Sequence, residues 1–167
     1  METPLQYTWT FWVNYVIQSS YEIEQIISIS TVQDFWNAYL QLRDVMKLKK
    51  GGISIFKNGI KPAWEDPNNQ DGYAISIKLF PTESDTYLFD KIILAVVGGS
   101  IEQLLPSQKL CGLYVLTGTL YVTVSLWFSP NKNGLISDPE LDILSRLLEI
   151  NKENFIVKEH PKIEKSD

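Results

Sequence analysis

The sequence predicts an α+β fold, an antiparallel sheet carrying three helices on one face and leaving the other face open. Three observations lead there. Strand-like stretches outnumber helical ones, most strands are neighbours joined by short turns, and no repeat or linker divides the chain. The 167 residues suit a single domain, 1–167. With 44% apolar content, such a chain can bury about two thirds of its unfolded surface.

Tyr7 to Val16 alternates, Trp9 and Phe11 on one face and Thr8, Thr10 and Trp12 on the other, as a half-buried strand does. Ser19-Ser20 supplies a turn, and Tyr21 to Ile29 the second strand. Ser30 or Thr31 caps a helix reaching about Leu48, with Asp34 in its favourable first turn. Its main apolar stripe is Val32, Phe35, Tyr39, Leu42 and Met46, while Trp36 and Leu40 fall off the edge. After Gly51-Gly52, the segments Ile53–Lys57 and Ile60 onward flank Asn58-Gly59 as a hairpin would. Pro62 to Gly72 is loop chemistry, and Tyr73 to Phe80 a strand.

Thr82 or Ser84 caps a second helix to about Val97, closed by Gly98-Gly99. Leu88, Ile92 and Ala95 share one of its faces; Leu94 and Val97 point the opposite way. Leu110–Leu116 and Leu120–Phe128 form a hairpin around Thr117-Gly118-Thr119. A third helix starts at Asp138 with Pro139 at its first position and reaches about Asn151. Phe155 to Lys158 is a short last strand, and the tail after Pro161 is charged.

Composition excludes several function classes. The net charge of −5 rules out a large basic face of the kind that grips many nucleic-acid phosphates. One cysteine, Cys111, leaves no internal disulfide and no cysteine-rich zinc site, and points to a reducing, cytoplasmic compartment. One histidine, His160, speaks against histidine-based catalysis and histidine-rich metal sites. No phosphate loop, nucleophile elbow, metal-ligand spacing or dinucleotide fingerprint occurs, so neither a catalytic residue nor a cofactor is expected. The longest apolar run, Ile92 to Val97, is too short to span a bilayer, and a monomer without membrane attachment is expected.

What stands out is the aromatic content, five Trp, eight Tyr and seven Phe. Trp64 sits in a Pro-bounded polar loop with Glu65 beside it, either packed under the loop or offered to a flat ligand. The pair Glu65-Asp66 by itself reads as solvated loop acid. Tyr121, Thr123, Ser125 and Trp127 share one face of their strand, opposite the apolar Leu120, Val122, Val124 and Leu126. Trp127 either covers the sheet or lines a ligand-facing surface; periodicity leaves both open. The apolar residues off the core stripes of the first two helices suggest a partner patch.

The stretches PLQYTWTFW (Pro4–Trp12), TVQDFWNAY (Thr31–Tyr39) and SIFKNGIKPAWED (Ser54–Asp66), with Cys111-Gly112 followed by Trp127, resemble the translation initiation factor 4E family. That family binds the 7-methylguanosine cap of messenger RNA. The resemblance runs in order from Pro4 to about Phe128, and the third helix follows in place. It implies a curved sheet with the helices on its convex face. It further implies that Trp64 stacks the methylated base, that Glu65 accepts hydrogen bonds from the guanine edge, and that Trp127 touches the methyl group. The family's other sandwich Trp is missing, and Tyr21, the nearest aromatic after a two-residue shortening of the loop, is expected in its place.

The family's phosphate-gripping Arg and Lys fall on Gly118 and Thr123, and an auxiliary Arg on Ala74. Lys158, Lys162, Lys165 and Lys132 are the candidate replacements, in a chain whose last loop is short. For the helical face, the resemblance implies that Pro4, Val32, Trp36 and Leu94 receive a scaffold or inhibitory protein of the initiation factor 4G or 4E-binding type. Asp90 there replaces a Leu, Lys91 a Glu, and Thr3 a His, so a partner acid facing Lys91 is expected. The functional expectation is a cap-binding protein joined to an initiation scaffold. The alternative is a repressor or decoy that keeps the partner face and binds cap poorly.

Overall fold

The computed structural model describes residues 1–43 and 51–163. The expected continuation of the first helix through Met46 to Leu48 lies outside these residues, as does Lys165. Among the described residues seven strands make one antiparallel, curved sheet: β1 Pro4–Ile17, β2 Ser20–Thr31, β3 Gly51–Lys57, β4 Tyr73–Leu79, β5 Leu110–Thr117, β6 Val122–Phe128 and β7 Ile156–Glu159. Their spatial order is β2-β1-β3-β5-β6-β4-β7. The helices are α1 Val32–Leu42, α2 Glu83–Val97, the short α3 Ser100–Leu104 and α4 Asp138–Leu148.

Local chemistry sets most boundaries. The β1–β2 turn is Gln18-Ser19 rather than Ser19-Ser20, because both residues take positive φ (47° and 67°), the twist a two-residue hairpin needs, while Ser20 already pairs with Ile17. Thr31 and Thr82 are the caps of α1 and α2, each hydroxyl accepting an amide hydrogen bond from three residues on. Ser137 and Glu140 form a reciprocal capping box at α4. That helix stops at Leu148, short of the expected Asn151, because Glu149 turns left-handed (φ 56°).

Three expectations are corrected. No strand returns from Ile60. Pro62 lacks a ladder donor, and the side chain of Asn69 takes up the carbonyls of Lys61 and Ala63, so the segment becomes a pinned loop. Val97 is buried, not turned outward, because α2 packs against α3 and α4 as well as against β1, β4 and β5. The expected helices are joined by one more, α3, entered through Gly99 at φ 86°.

The main core lies between sheet and helices, where Phe11, Ile55, Ile75, Leu113, Val124 and Leu126 meet Phe35, Ile92, Ile93 and Leu144. A second, smaller cluster, Trp12, Phe56, Ala74, Cys111 and Trp127, occupies the helix-free face. A bulge at Cys111, between the pairs Leu110–Phe128 and Gly112–Trp127, brings both Cys111 and Tyr114 to that face. Gly112 keeps the row tight, since a Cβ there would lie 2.4 Å from the Phe56 ring.

Candidate functional site

The helix-free face is organised in cross-strand rows. One row runs Thr10–Phe56–Gly112–Trp127–Ala74–Lys158, and the next includes Tyr114–Ser125–Ser76–Ile156. Trp127 belongs to this face as alternation requires, yet it is only 6% exposed. The open surface expected there is closed over it. Tyr114 stacks on it (5.0 Å, 15°), Phe56 meets it edge-on (5.4 Å), and His160 lies 4.4 Å from it. Burial pushes the His160 imidazole down to about 4, so at neutral pH it is an uncharged ring against the indole. Tyr21 joins the array from β2, stacking on Tyr114 at 6.4 Å, and burial raises its phenol above the usual range.

Trp64 stands apart from this array. It is 45% exposed, and no ring among the described residues contacts it. Its loop is nevertheless held firmly. Asn69, fully buried, donates to the carbonyls of Lys61 (2.8 Å) and Ala63 (2.9 Å), bracketing the turn that carries the indole. The Asp66 carboxylate accepts from the amides of Lys61 and Asn68, both at 2.9 Å. The loop is tied to the sheet where Ser129 donates to the Asn68 carbonyl (2.8 Å), beside Cys111. Burial raises the Cys111 thiol pKa, against a smaller opposing hydrogen bond from Ser129. Of the two neighbouring acids, Asp66 is therefore scaffold, whereas the exposed Glu65 carboxylate has no partner among the described residues.

The remaining candidates divide by position. Lys158 is exposed, in the same row as Trp127, and directly opposite Ala74. Lys162 lies on the exposed segment two residues past His160. Lys132 is in the loop that Asn131 ties to the Ser107 carbonyl (2.9 Å), and no register pair links it to the rows. Tyr21 and Trp64 are carried at opposite ends of β1. Tyr21 pairs with Val16, and Asn58, which opens the Trp64 loop, donates to Thr8.

On the helical face, Trp36 (40%), Leu40 (60%) and Leu94 (39%) are exposed. Pro4 is brought to Val32 by the pair Pro4–Thr31 and by the Val32 amide donating to the Thr3 carbonyl (2.8 Å). Lys91 pairs with Glu149 at 2.7 Å, which lowers the Glu149 pKa. Asp90 braces α1 against α2, accepting from the Tyr39 hydroxyl and pairing with Arg43 at 3.1 Å.

Sequence reasoning missed Tyr114 and His160. The bulge at Cys111 breaks the alternation that would have placed Tyr114, and a lone histidine in a polar tail carries no pattern. Among the described residues no three of His, Cys, Asp and Glu gather as metal ligands, and no helix is long and apolar enough to cross a membrane.

The model of the eukaryotic initiation factor 4E family matches residues 4–166. The chain belongs to that family. Initiation factor 4E allele A of Solanum tuberosum is 30% identical over 132 residues, covering 74% of this chain and 55% of its own. The chain thus spans a little over half the length of the curated 4E relatives it matches. Among solved structures, Ascaris suum initiation factor 4E-3 with m7G cap superposes with TM-score 0.80 at 26% identity, over 96% of this chain and 93% of that one. The Caenorhabditis elegans 4E-3 complex with the 4E-binding protein Mextli and a cap analog gives 0.78 at 24%, over 95% and 92%. The latter likeness speaks for the 4E fold alone.

Proposed function

We propose that this 4E-family chain binds the 7-methylguanosine cap of messenger RNA and presents it to a scaffold protein held on the helical face. The observation that carries this reading is the Trp64–Glu65 pair: an exposed indole and an unpartnered carboxylate, adjacent on a loop fixed by Asn69 and Asp66. A methylated guanine is a flat cation. An indole stacks it and attracts its charge, and a carboxylate accepts two hydrogen bonds from its edge. Tyr21, 46% exposed with one face on Tyr114, adds a second exposed ring on the same side of the sheet, beside the buried Trp127 that Tyr114 covers. Lys158, in the Trp127 row, meets the phosphates, with Lys162 next along the chain and Lys132 the more distant contributor.

The scaffold-binding helix seats on Val32, Trp36 and Leu94, with Pro4 at the margin. Lys91 selects a partner carrying an acid, which displaces Glu149 from an exposed and therefore weakly held pair. The exposed apolar trio Trp36, Leu40 and Leu94 supports this part of the reading. The test is equilibrium binding of 7-methyl-GTP to Trp64→Ala and Glu65→Gln. Each is expected to weaken binding by about tenfold or more, as loss of one base stack or one charge-assisted pair implies. Wild-type affinity in both variants would refute the assignment.

A further inference from the structure

Beyond Trp127 the helix-free face carries a second aromatic group that the cap site does not use. Lys78 places its ammonium 4.8 Å from the ring centroid of Tyr121, and Phe80 meets the same ring at 5.9 Å and 61°. Phe80 is 51% exposed, Lys78 is exposed and Tyr121 is half-buried. Lys78 faces the same side as Ala74 and Ser76 on β4, and its cross-strand neighbour is Thr123. Tyr121 precedes Trp127 by six residues, so the group lies about 20 Å along β6 from it.

Charge identifies the ligand. Among the described strand residues that face this side, the formal charges are those of Lys78 and Lys158, both positive, in a chain of net charge −5. The acids of β2, Glu22 and Glu24, pair with Tyr15 and Val13 and so face the helix side. Asp85, near Phe80, is engaged by the Phe80 amide at 2.7 Å. Phe80 and Tyr121 also line a cavity with Glu83, Asp85, Asp90 and Arg43, where Asp90 is paired with Arg43 at 3.1 Å. On the sheet side, the Lys78 cation beside two accessible rings suits a single unpaired nucleotide, phosphate on the ammonium and base on the rings.

We propose that Lys78, Tyr121 and Phe80 form a subsite for an unpaired ribonucleotide of the messenger downstream of the cap, its phosphate on Lys78 and its base on the Phe80–Tyr121 rings. The subsite rests on the reading that Trp64 and Glu65 hold the cap base, and it continues the same sheet face. It gives this chain affinity for capped RNA that a free cap nucleotide does not report.

The experiment compares 7-methyl-GTP, a capped pentanucleotide and the same pentanucleotide uncapped, on wild type, Lys78→Ala and Phe80→Ser. Wild type is expected to bind the capped pentanucleotide about fivefold or more tighter than 7-methyl-GTP, the lower end of one stacked base. Both substitutions, at exposed side chains, are expected to remove that advantage while leaving 7-methyl-GTP affinity unchanged. The subsite is overturned by the absence of an advantage in wild type, by its persistence in both variants, or by equal weakening of both capped ligands. If 7-methyl-GTP does not bind but the uncapped pentanucleotide does, with dependence on Lys78 and Phe80, the cap reading fails and the subsite stands. If neither binds, both fail.

Discussion

Asn69 touches no proposed ligand, yet its replacement should be among the most damaging to binding. Its Nδ2 donates to two carbonyls, Lys61 and Ala63, on the strand-proximal side of Trp64, and its side chain is fully buried. Asn69→Ala removes both hydrogen bonds. At about 1 kcal/mol each, with a further cost wherever a carbonyl stays away from water, the pinned loop loses about 2–3 kcal/mol. Affinity falls with the fraction of molecules that hold the loop in its binding form, so the ceiling is about 30- to 150-fold, and a loop with some reserve gives less. The expected result is at least about tenfold weaker 7-methyl-GTP binding, read by tryptophan fluorescence, with thermal melting recorded alongside. Asn69→Asp should be as harmful, since it sets an acceptor against two carbonyls. Wild-type affinity in Asn69→Ala would refute the claim that this side chain positions Trp64.

Acid should weaken the fold through His160. Its imidazole titrates near 4 when folded, below the unfolded value of about 6.5, so between these values the unfolded chain holds the extra proton. Stability therefore falls as pH drops through that window, with a limiting slope of about 1.4 kcal/mol per pH unit, and levels off below it. Urea unfolding at stepped pH should show this slope in wild type and its loss in His160→Phe. Trp36→Ala is expected to abolish capture of a 4G-type helical peptide while leaving 7-methyl-GTP binding intact, since indole and cap loop lie on opposite faces of the sheet. Coupled loss of both would contradict the two-face arrangement. In the same peptide assay, Lys91→Glu should weaken a peptide with an acid facing position 91 and strengthen one with a base there.

Much of this was legible in local sequence. Alternation along β6 placed Trp127 opposite the core, Thr31 and Thr82 were each one of two cap candidates for their helices, Pro139 marked the start of the third, and the Pro-bounded loop isolated Trp64 with Glu65. Contacts between distant segments were not legible. Tyr114 and His160 reach Trp127 from β5 and from beyond β7, so the indole's burial depends on register rather than on its own strand. Val97 misled for the same reason, because a stripe drawn for a helix with one neighbour fails on a helix packed against several elements. Lys78 carries no signal in its own strand; the β4–β6 pairing sets it opposite Thr123, and its ammonium reaches the Tyr121 ring.

The most direct measurement is the ratio of 7-methyl-GTP to GTP affinity in the wild-type chain, with Trp64→Ala as the paired control. The account predicts strong discrimination for the methylated base, accompanied by tryptophan quenching, and its collapse in Trp64→Ala. Equal affinity for the two nucleotides, or discrimination that survives loss of Trp64, would contradict it.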